Sequence, residues 1–350
     1  MDLDHVEALR RLDRSDMLSL MDRTPERLTT PADADQTCGR DLQRPENVVF
    51  MGVGGSAIVG DLLADYVRDI VDVPVAVLRS LRLPGYVGKG TLFVAISYSG
   101  ETQETLSVLE QAIAKTARIV TISSGGRLLS QSERHGLPYL RVPSGLLPRV
   151  ALPELLAAAV YVLGSAAILK NPSELLSEVR KAIGDQIENV KPEIPTDKND
   201  AKRMAQMLVD KLPLIIGGEE DGSVLRRFKN ELNENSKMPA FYYTVPEAFH
   251  DDIEGLKDLR SLANVQPIFL RNDNWLAGQK RTQERLGILL REFGFPRAME
   301  FAGLGRDRLS QLLTAVVFGD YVSVYLAALR GLDPSEMKLI PEFRKVMRAK

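Results

Sequence analysis

Two short segments of this chain carry residue types able to move a proton. Asn233-Glu234-Asn235-Ser236-Lys237 offers a carboxylate, and Phe249-His250-Asp251-Asp252-Ile253-Glu254-Gly255, starting twelve residues after Lys237, offers an imidazole. A fixed carboxylate and a fixed imidazole are what proton transfer between adjacent carbons of a sugar needs. Two other segments have the composition of an anion cradle: Gly52-Val53-Gly54-Gly55-Ser56 and Ser97-Tyr98-Ser99-Gly100-Glu101-Thr102. Each follows an apolar run and precedes a helical pattern, where glycines let the backbone approach an anion and helix N–H groups point outward. The hydroxyls of Ser97, Ser99 and Thr102 can ring a phosphate with neutral donors, or simply cap the following helix. A dinucleotide reading of the first segment fails. The third glycine is misplaced, since the run continues Ala57-Ile58-Val59-Gly60, and Val75-Ala76-Val77-Leu78-Arg79 ends without an acidic residue.

The elements that must position these groups follow from periodicity. Val48–Val53, Val73–Leu78, Leu92–Ser97, Arg118–Ile122 and Tyr139–Val142 read as strands, nearly continuous in apolar residues. Strands of that kind are buried on both faces, which requires crossover helices and a mostly parallel α/β sheet; Ser56–Arg68 and Glu101–Lys115 supply two of them. The charged, proline-bearing stretch Glu178–Asp200 reads as a domain boundary. The pattern then restarts with strands at Leu212–Ile216, Phe241–Val245 and Val265–Leu270. Its helices fall at Gly222–Ser236, Trp275–Phe293, Arg306–Leu329 and Ile340–Arg348. Residues 1–30 read as a helical arm, 31–175 as a first domain and 195–350 as a second.

Composition bounds the function. The 350 residues suffice for two domains with their own cores, and 45 basic against 47 acidic residues leave a net charge of −2, without the basic footprint of a nucleic-acid binder. One cysteine, Cys38, excludes a disulfide framework, and His5, His135 and His250 form no short ligand motif, so chemistry without a metal or cofactor is expected. The N-terminus Met1-Asp2-Leu3-Asp4-His5-Val6-Glu7 has no apolar core, which reads against a secretory signal and toward the cytoplasm. Ala151–Leu169 is the segment apolar enough to suggest a membrane span, and reads instead as a helix buried in a core or dimer contact.

Helical spacing puts Glu234 opposite the apolar stripe of Phe228 and Leu232, a place for a solvated glutamate unless a crevice faces it; Glu231 is the alternative base. His250 reads equally as a loop histidine or, with Asp251, Asp252 and Glu254 favouring its charged form, as a proton donor. Arg149 is either an ion-pair partner or an active-site loop residue.

The Gly54-Gly55-Ser56 and Ser97–Thr102 turns and the repeated α/β layout resemble a pair of sugar isomerase (SIS) domains. Asn230–Lys237 and Pro246-Glu247-Ala248-Phe249-His250-Asp251-Asp252-Ile253-Glu254-Gly255 resemble the bifunctional phosphoglucose/phosphomannose isomerases more specifically. The resemblance implies interconversion of glucose 6-phosphate and mannose 6-phosphate with fructose 6-phosphate through a cis-enediol. By similarity Glu234 is the base, His250 assists ring opening from the partner subunit of a homodimer, and Arg149 lies near the enediolate. Gly54, Gly55, Ser56, Ser97, Ser99 and Thr102 match the phosphate and substrate contacts, and the family uses no metal. Where that pattern has a threonine and, seven residues on, a lysine, this chain has Met337 and Arg344, which bears on the choice between glucose and mannose epimers. Two other readings use the same turns. One is a non-catalytic sugar-phosphate sensor, for which residues 1–47 are too short and too weakly basic to supply a DNA-binding domain. The other is an aminosugar-phosphate synthase, for which no N-terminal cysteine nucleophile is present.

Overall fold

Nine strands among the described residues form two all-parallel sheets in the computed structural model. It describes every residue except Arg40, Asp41, Ala263, Asp273, Asn274, Leu276, Ala349 and Lys350, and leaves aside the side chains of Arg260, Leu262, Arg344, Lys345, Met347 and Arg348. The chain divides into two compact units. The first comprises Arg23–Gly184 and Gly305–Leu312; the second comprises Met1–Asp22, Asp185–Leu304 and Leu313–Lys350.

In the first unit the strands β1 (Asn47–Met51), β2 (Val75–Leu78), β3 (Thr91–Ile96), β4 (Arg118–Ser123) and β5 (Tyr139–Arg141) run in the order β2-β1-β3-β4-β5. All six residues of β3 are buried, as its unbroken apolar run predicts for a central strand covered on both faces. Val49, Met51, Phe93 and Ala95 pack with Leu106, Leu109 and Ala112 of helix Gln103–Ala114 to form one core. The order reverses direction between β1 and β3, and the turns after these two strands are the Gly52–Ser56 and Ser97–Thr102 segments. Ligands of such sheets bind at that reversal, beyond the carboxyl ends of the strands.

The second unit repeats the plan with β6 (Leu212–Gly218), β7 (Phe241–Val245), β8 (Val265–Arg271) and β9 (Met299–Ala302) in the order β7-β6-β8-β9. Leu214, Ile216, Val245, Phe269, Leu286 and Leu290 build its core. Its own reversal point is filled by protein. Asp221 is buried there, accepting from the Trp275 indole at 2.8 Å and from Asn272 Nδ2 at 3.1 Å.

Four features differ from the sequence reading. Pro172–Val190 is one 19-residue helix that the sequence reading did not include, and the division between units falls inside it, at Gly184–Asp185, within the stretch Glu178–Asp200. Leu176, Val179, Ile183, Ile187 and Val190 form a buried stripe at helical spacing that the intervening charges conceal in the sequence. Strand β9 and helix Gly126–His135 were not anticipated, the one being four residues of alternating burial and the other strongly polar. Met1–Asp22 belongs to the second unit, where Asp4 accepts from the fully buried Lys202 Nζ at 3.0 Å. Finally, helix Leu152–Ser165 is buried, but among the described residues the helix long and apolar enough to cross a membrane is Arg308–Leu329, with 89% of its apolar window buried in the protein.

Candidate active site

Three helices begin at the carboxyl ends of three adjacent strands of the first unit. Gly55–Val67 follows β1, Gln103–Ala114 follows β3 and Gly126–His135 follows β4. Their N-cap positions, Gly54, Thr102 and Gly125, form no side-chain cap hydrogen bond. In helices Gly55–Val67 and Gln103–Ala114 the first turns, carrying the positive ends of their dipoles, lie at neighbouring strand ends, an arrangement suited to a phosphate dianion, whereas in helix Gly126–His135 the N–H groups of Arg127 and Leu128 are taken by Glu101 Oε1 and the Gly100 carbonyl.

Close backbone contact fixes these turns to one another. Gly100 has φ +66°, and a Cβ there would stand 1.8 Å from the Gly125 carbonyl oxygen. A Cβ on Gly126, whose φ is +71°, would lie 2.5 Å from the Ser99 carbonyl oxygen. Ser124 donates to the Tyr98 carbonyl through its backbone N–H at 2.8 Å and its hydroxyl at 2.7 Å, and the Leu128 N–H donates to the Gly100 carbonyl at 3.0 Å. Glu101 adds a side-chain brace, accepting from the Arg127 N–H at 2.9 Å and from Nε at 2.7 Å. Ser97 is buried with its Oγ 2.9 Å from Thr102 Oγ1, Ser99 is exposed and accepts from the Glu101 N–H at 3.2 Å, and Ser56 Oγ accepts from the Tyr98 N–H at 3.3 Å. The first unit thus brings Gly54, Gly55, Ser56, Ser97, Ser99 and Thr102 together. It adds Ser124-Gly125-Gly126, which the sequence reading missed; the signal was a Gly-Gly pair after the buried strand Arg118–Ser123, the same signature as the first turn.

Arg149 joins this group. It lies buried in the single turn Pro148–Val150, and the missing side chain of Gly55 is what admits that turn: a Cβ on Gly55 would meet the Pro148 carbonyl oxygen at 3.3 Å and Arg149 Cα at 3.8 Å. The surface ion-pair reading of Arg149 is excluded by its burial.

In the second unit Glu234 is the last residue of helix Gly222–Glu234, half-buried, while Glu231 is buried and spoken for. Arg227 Nη1 lies 2.8 Å from Glu231 Oε1, and the same guanidinium donates to both oxygens of Asp320 at 3.0 and 2.9 Å. Burial opposes the Arg227 charge, but the fields of Asp320, Glu231 and Glu234 outweigh it and hold the proton more firmly than usual. Glu231 is therefore committed to a buried ion pair, and Glu234 is the glutamate of this helix that solvent still reaches. His250 is exposed at the end of the turn Glu247–Phe249, which follows β7. Its surroundings are anionic: burial, then the charges of Asp251 and Glu247, push the Asp252 carboxyl above its ordinary range.

The topology keeps Glu234 and His250 of one chain apart. Helix Gly222–Glu234 starts beyond the carboxyl end of β6 and runs back along the sheet, so Glu234 lies near the amino end of β7, whereas His250 lies beyond its carboxyl end. The five residues of β7 put roughly 16 Å between those edges. Met337 is half-buried ahead of helix Leu339–Arg348; Arg344 is on that helix, and its side chain lies outside the described residues. Cys38 is buried and burial pushes its thiol up to about 12, and among the described residues no three His, Cys, Asp or Glu side chains gather to hold a metal ion.

Two family models match. The SIS domain covers residues 41–141, and the bacterial phospho-glucose isomerase C-terminal SIS domain covers 197–347. The chain is a double-SIS-domain protein. It belongs, further, to the family of bifunctional phosphoglucose/phosphomannose isomerases. It is 36% identical over 298 residues to that enzyme of Caldicellulosiruptor bescii, covering 84% of this chain and 87% of the relative. Against the Aquifex aeolicus enzyme the identity is 30% over 315 residues, or 88% and 92% of the two chains. Among solved structures, a glucose-6-phosphate isomerase like protein from Thermus thermophilus shares the fold with a TM-score of 0.66 at 18% identity, covering 99% of each chain.

Proposed function

We propose that the protein interconverts glucose 6-phosphate and mannose 6-phosphate with fructose 6-phosphate in the cytoplasm, moving one proton between C2 and C1 through a cis-enediol. The observation that carries this reading is the cradle of the first unit, two neighbouring helix N-termini without side-chain caps, the second locked by backbone contact to the turn after β4, with Arg149 seated on Gly55. It offers neutral donors for a phosphate ester, and a buried cation to stabilise charge developing on an enediolate oxygen.

The second unit supplies the proton chemistry. Glu234 removes the C2 proton of the open-chain aldose; the electron pair forms the C1–C2 double bond as the O1 carbonyl gathers charge. Return of the proton to C1, with the O2 hydroxyl proton passing to O1, yields the ketose. Engagement of Glu231 by Arg227 supports Glu234 in this role. His250 donates to the ring oxygen during opening. Its separation from Glu234 by the length of β7 supports a homodimer in which each base works with the partner's imidazole. Met337 and Arg344 complete the assignment, Arg344 supplying positive charge and Met337 shaping the space around C1 and C2.

The test is turnover itself, as initial rates on glucose 6-phosphate and mannose 6-phosphate in parallel. Fructose 6-phosphate is expected from both. Saturable binding of either sugar phosphate without product would replace this reading with a sensor.

A further inference from the structure

The turn that carries Arg149 is held from two sides. One is the backbone contact with Gly55, where the Pro148 carbonyl fits because no side chain intervenes. The other is a buried ion pair far away in sequence. Arg27 Nε donates to Glu154 Oε1 at 2.7 Å, and Arg27 Nη2 donates to Glu154 Oε2 at 2.8 Å and to the Val150 carbonyl at 2.5 Å. The Arg27 and Glu154 side chains are only 13% and 7% exposed, so the pair is shielded from water and salt, unlike a surface bridge.

The Val150 carbonyl needs such a partner. Helix Leu152–Ser165 has Ala151 as its N-cap, and the Ala151 carbonyl accepts the Leu155 N–H at 3.2 Å. Val150 lies one residue before the cap, outside that ladder of hydrogen bonds. The pair itself borders a cavity of about 640 Å³ that Thr30, Arg141, Pro143 and Ser144 also line. The grip on the Val150 carbonyl comes from the fork of Arg27, with two nitrogens on the carboxylate and one of them shared with the carbonyl. A lysine, a single point charge on a flexible stem, cannot reproduce that geometry.

We propose that Arg27 is a positioning residue for Arg149: anchored on Glu154, it grips the Val150 carbonyl and so fixes the adjoining arginine against the substrate cradle. This rests on the isomerase reading and on the role given there to Arg149. The effect belongs on kcat rather than KM, because Arg149 serves charge that develops only as the proton moves.

The experiment is a double-mutant cycle on the full-length protein with Arg27→Met and Arg149→Ala, read as kcat and KM for fructose 6-phosphate formation. Arg27→Met alone should lower kcat about 10- to 100-fold, the scale of a misplacement near 1 Å, with KM within about twofold. In the Arg149→Ala background the same change should alter kcat by no more than about twofold, because nothing remains for Arg27 to position. Arg27→Lys should behave as Arg27→Met does. Equal losses in both backgrounds would mark Arg27 as a general structural residue and overturn the proposal, as would an unchanged kcat in Arg27→Met. If Arg27→Met does not fold, Glu154→Gln enters the same cycle with the same expectations. Unchanged kcat in Arg149→Ala would instead remove the role of Arg149 itself, and the proposal with it; a loss there without coupling to Arg27 rejects the proposal alone.

Discussion

Gly100→Ala puts a methyl group where the turns after β3 and β4 touch. The added Cβ would stand 1.8 Å from the Gly125 carbonyl oxygen, and ordinary contact begins at 3.4 Å, so one turn must retreat by about 1.6 Å. Backbone cannot swing aside as a side-chain tip can. Three hydrogen bonds span the gap: Leu128 N–H to the Gly100 carbonyl, and the Ser124 N–H and hydroxyl to the Tyr98 carbonyl. At about 1 kcal/mol each their loss costs about 3 kcal/mol, and a left-handed φ on a residue with a Cβ adds about 1–2 kcal/mol. A destabilisation of about 4–5 kcal/mol is therefore expected by urea unfolding. In the population still folded, the displaced Ser97–Thr102 turn should lower kcat/KM by about 100-fold. Gly85→Ala is the control, since nothing lies within 4 Å of its added Cβ, and its effect should stay within about 0.5 kcal/mol. Gly100→Ala with stability within about 1 kcal/mol of the parent and unchanged kinetics would refute the claim that the two turns are locked together.

Two further outcomes follow from the second unit. Asp4→Asn leaves the buried Lys202 ammonium with the Pro192 carbonyl but without its carboxylate; because Asp4 is 43% exposed and screened by water, the change should cost about 1 kcal/mol near neutral pH. Hydrogen bonds from Lys202, then Thr196, hold the Asp4 carboxyl below its ordinary range, so this stability is complete above about pH 4 and is lost as pH falls through the depressed value. Urea midpoints of the two proteins should accordingly converge at low pH, and a gap independent of pH would count against the pairing. Separately, if Glu234 and His250 serve one substrate from different subunits, Glu234→Gln and His250→Asn homodimers are both inactive, but co-refolded in equal amounts they recover about a quarter of wild-type activity in heterodimers. No recovery would place both groups in one chain.

Much of the scaffold was legible because its strands are buried on both faces, which leaves unbroken runs such as Leu92–Ile96 in the sequence. The glycine turns were legible for a related reason: Gly54 and Gly100 have positive φ, a conformation that few other residues adopt. What the sequence could not show are contacts made across it. The Gly100–Gly125 approach depends on the spacing of β3 and β4, and the commitment of Glu231 depends on Asp320, 89 residues away. Arg27 and Glu154 lie 127 residues apart, and only the fold joins them beside Val150. Charge density likewise hid helix Pro172–Val190, whose apolar stripe occupies fewer than a third of its residues.

The central claim is that Glu234 is the group that moves the proton. Glu234→Gln keeps the shape of the side chain and removes its basicity, so the measurement is kcat with glucose 6-phosphate and mannose 6-phosphate, beside the thermal midpoint of the same preparation. The account predicts a loss of at least about 10³-fold on both substrates, with the midpoint unchanged. Turnover within about tenfold of wild type by this variant, correctly folded, would contradict it.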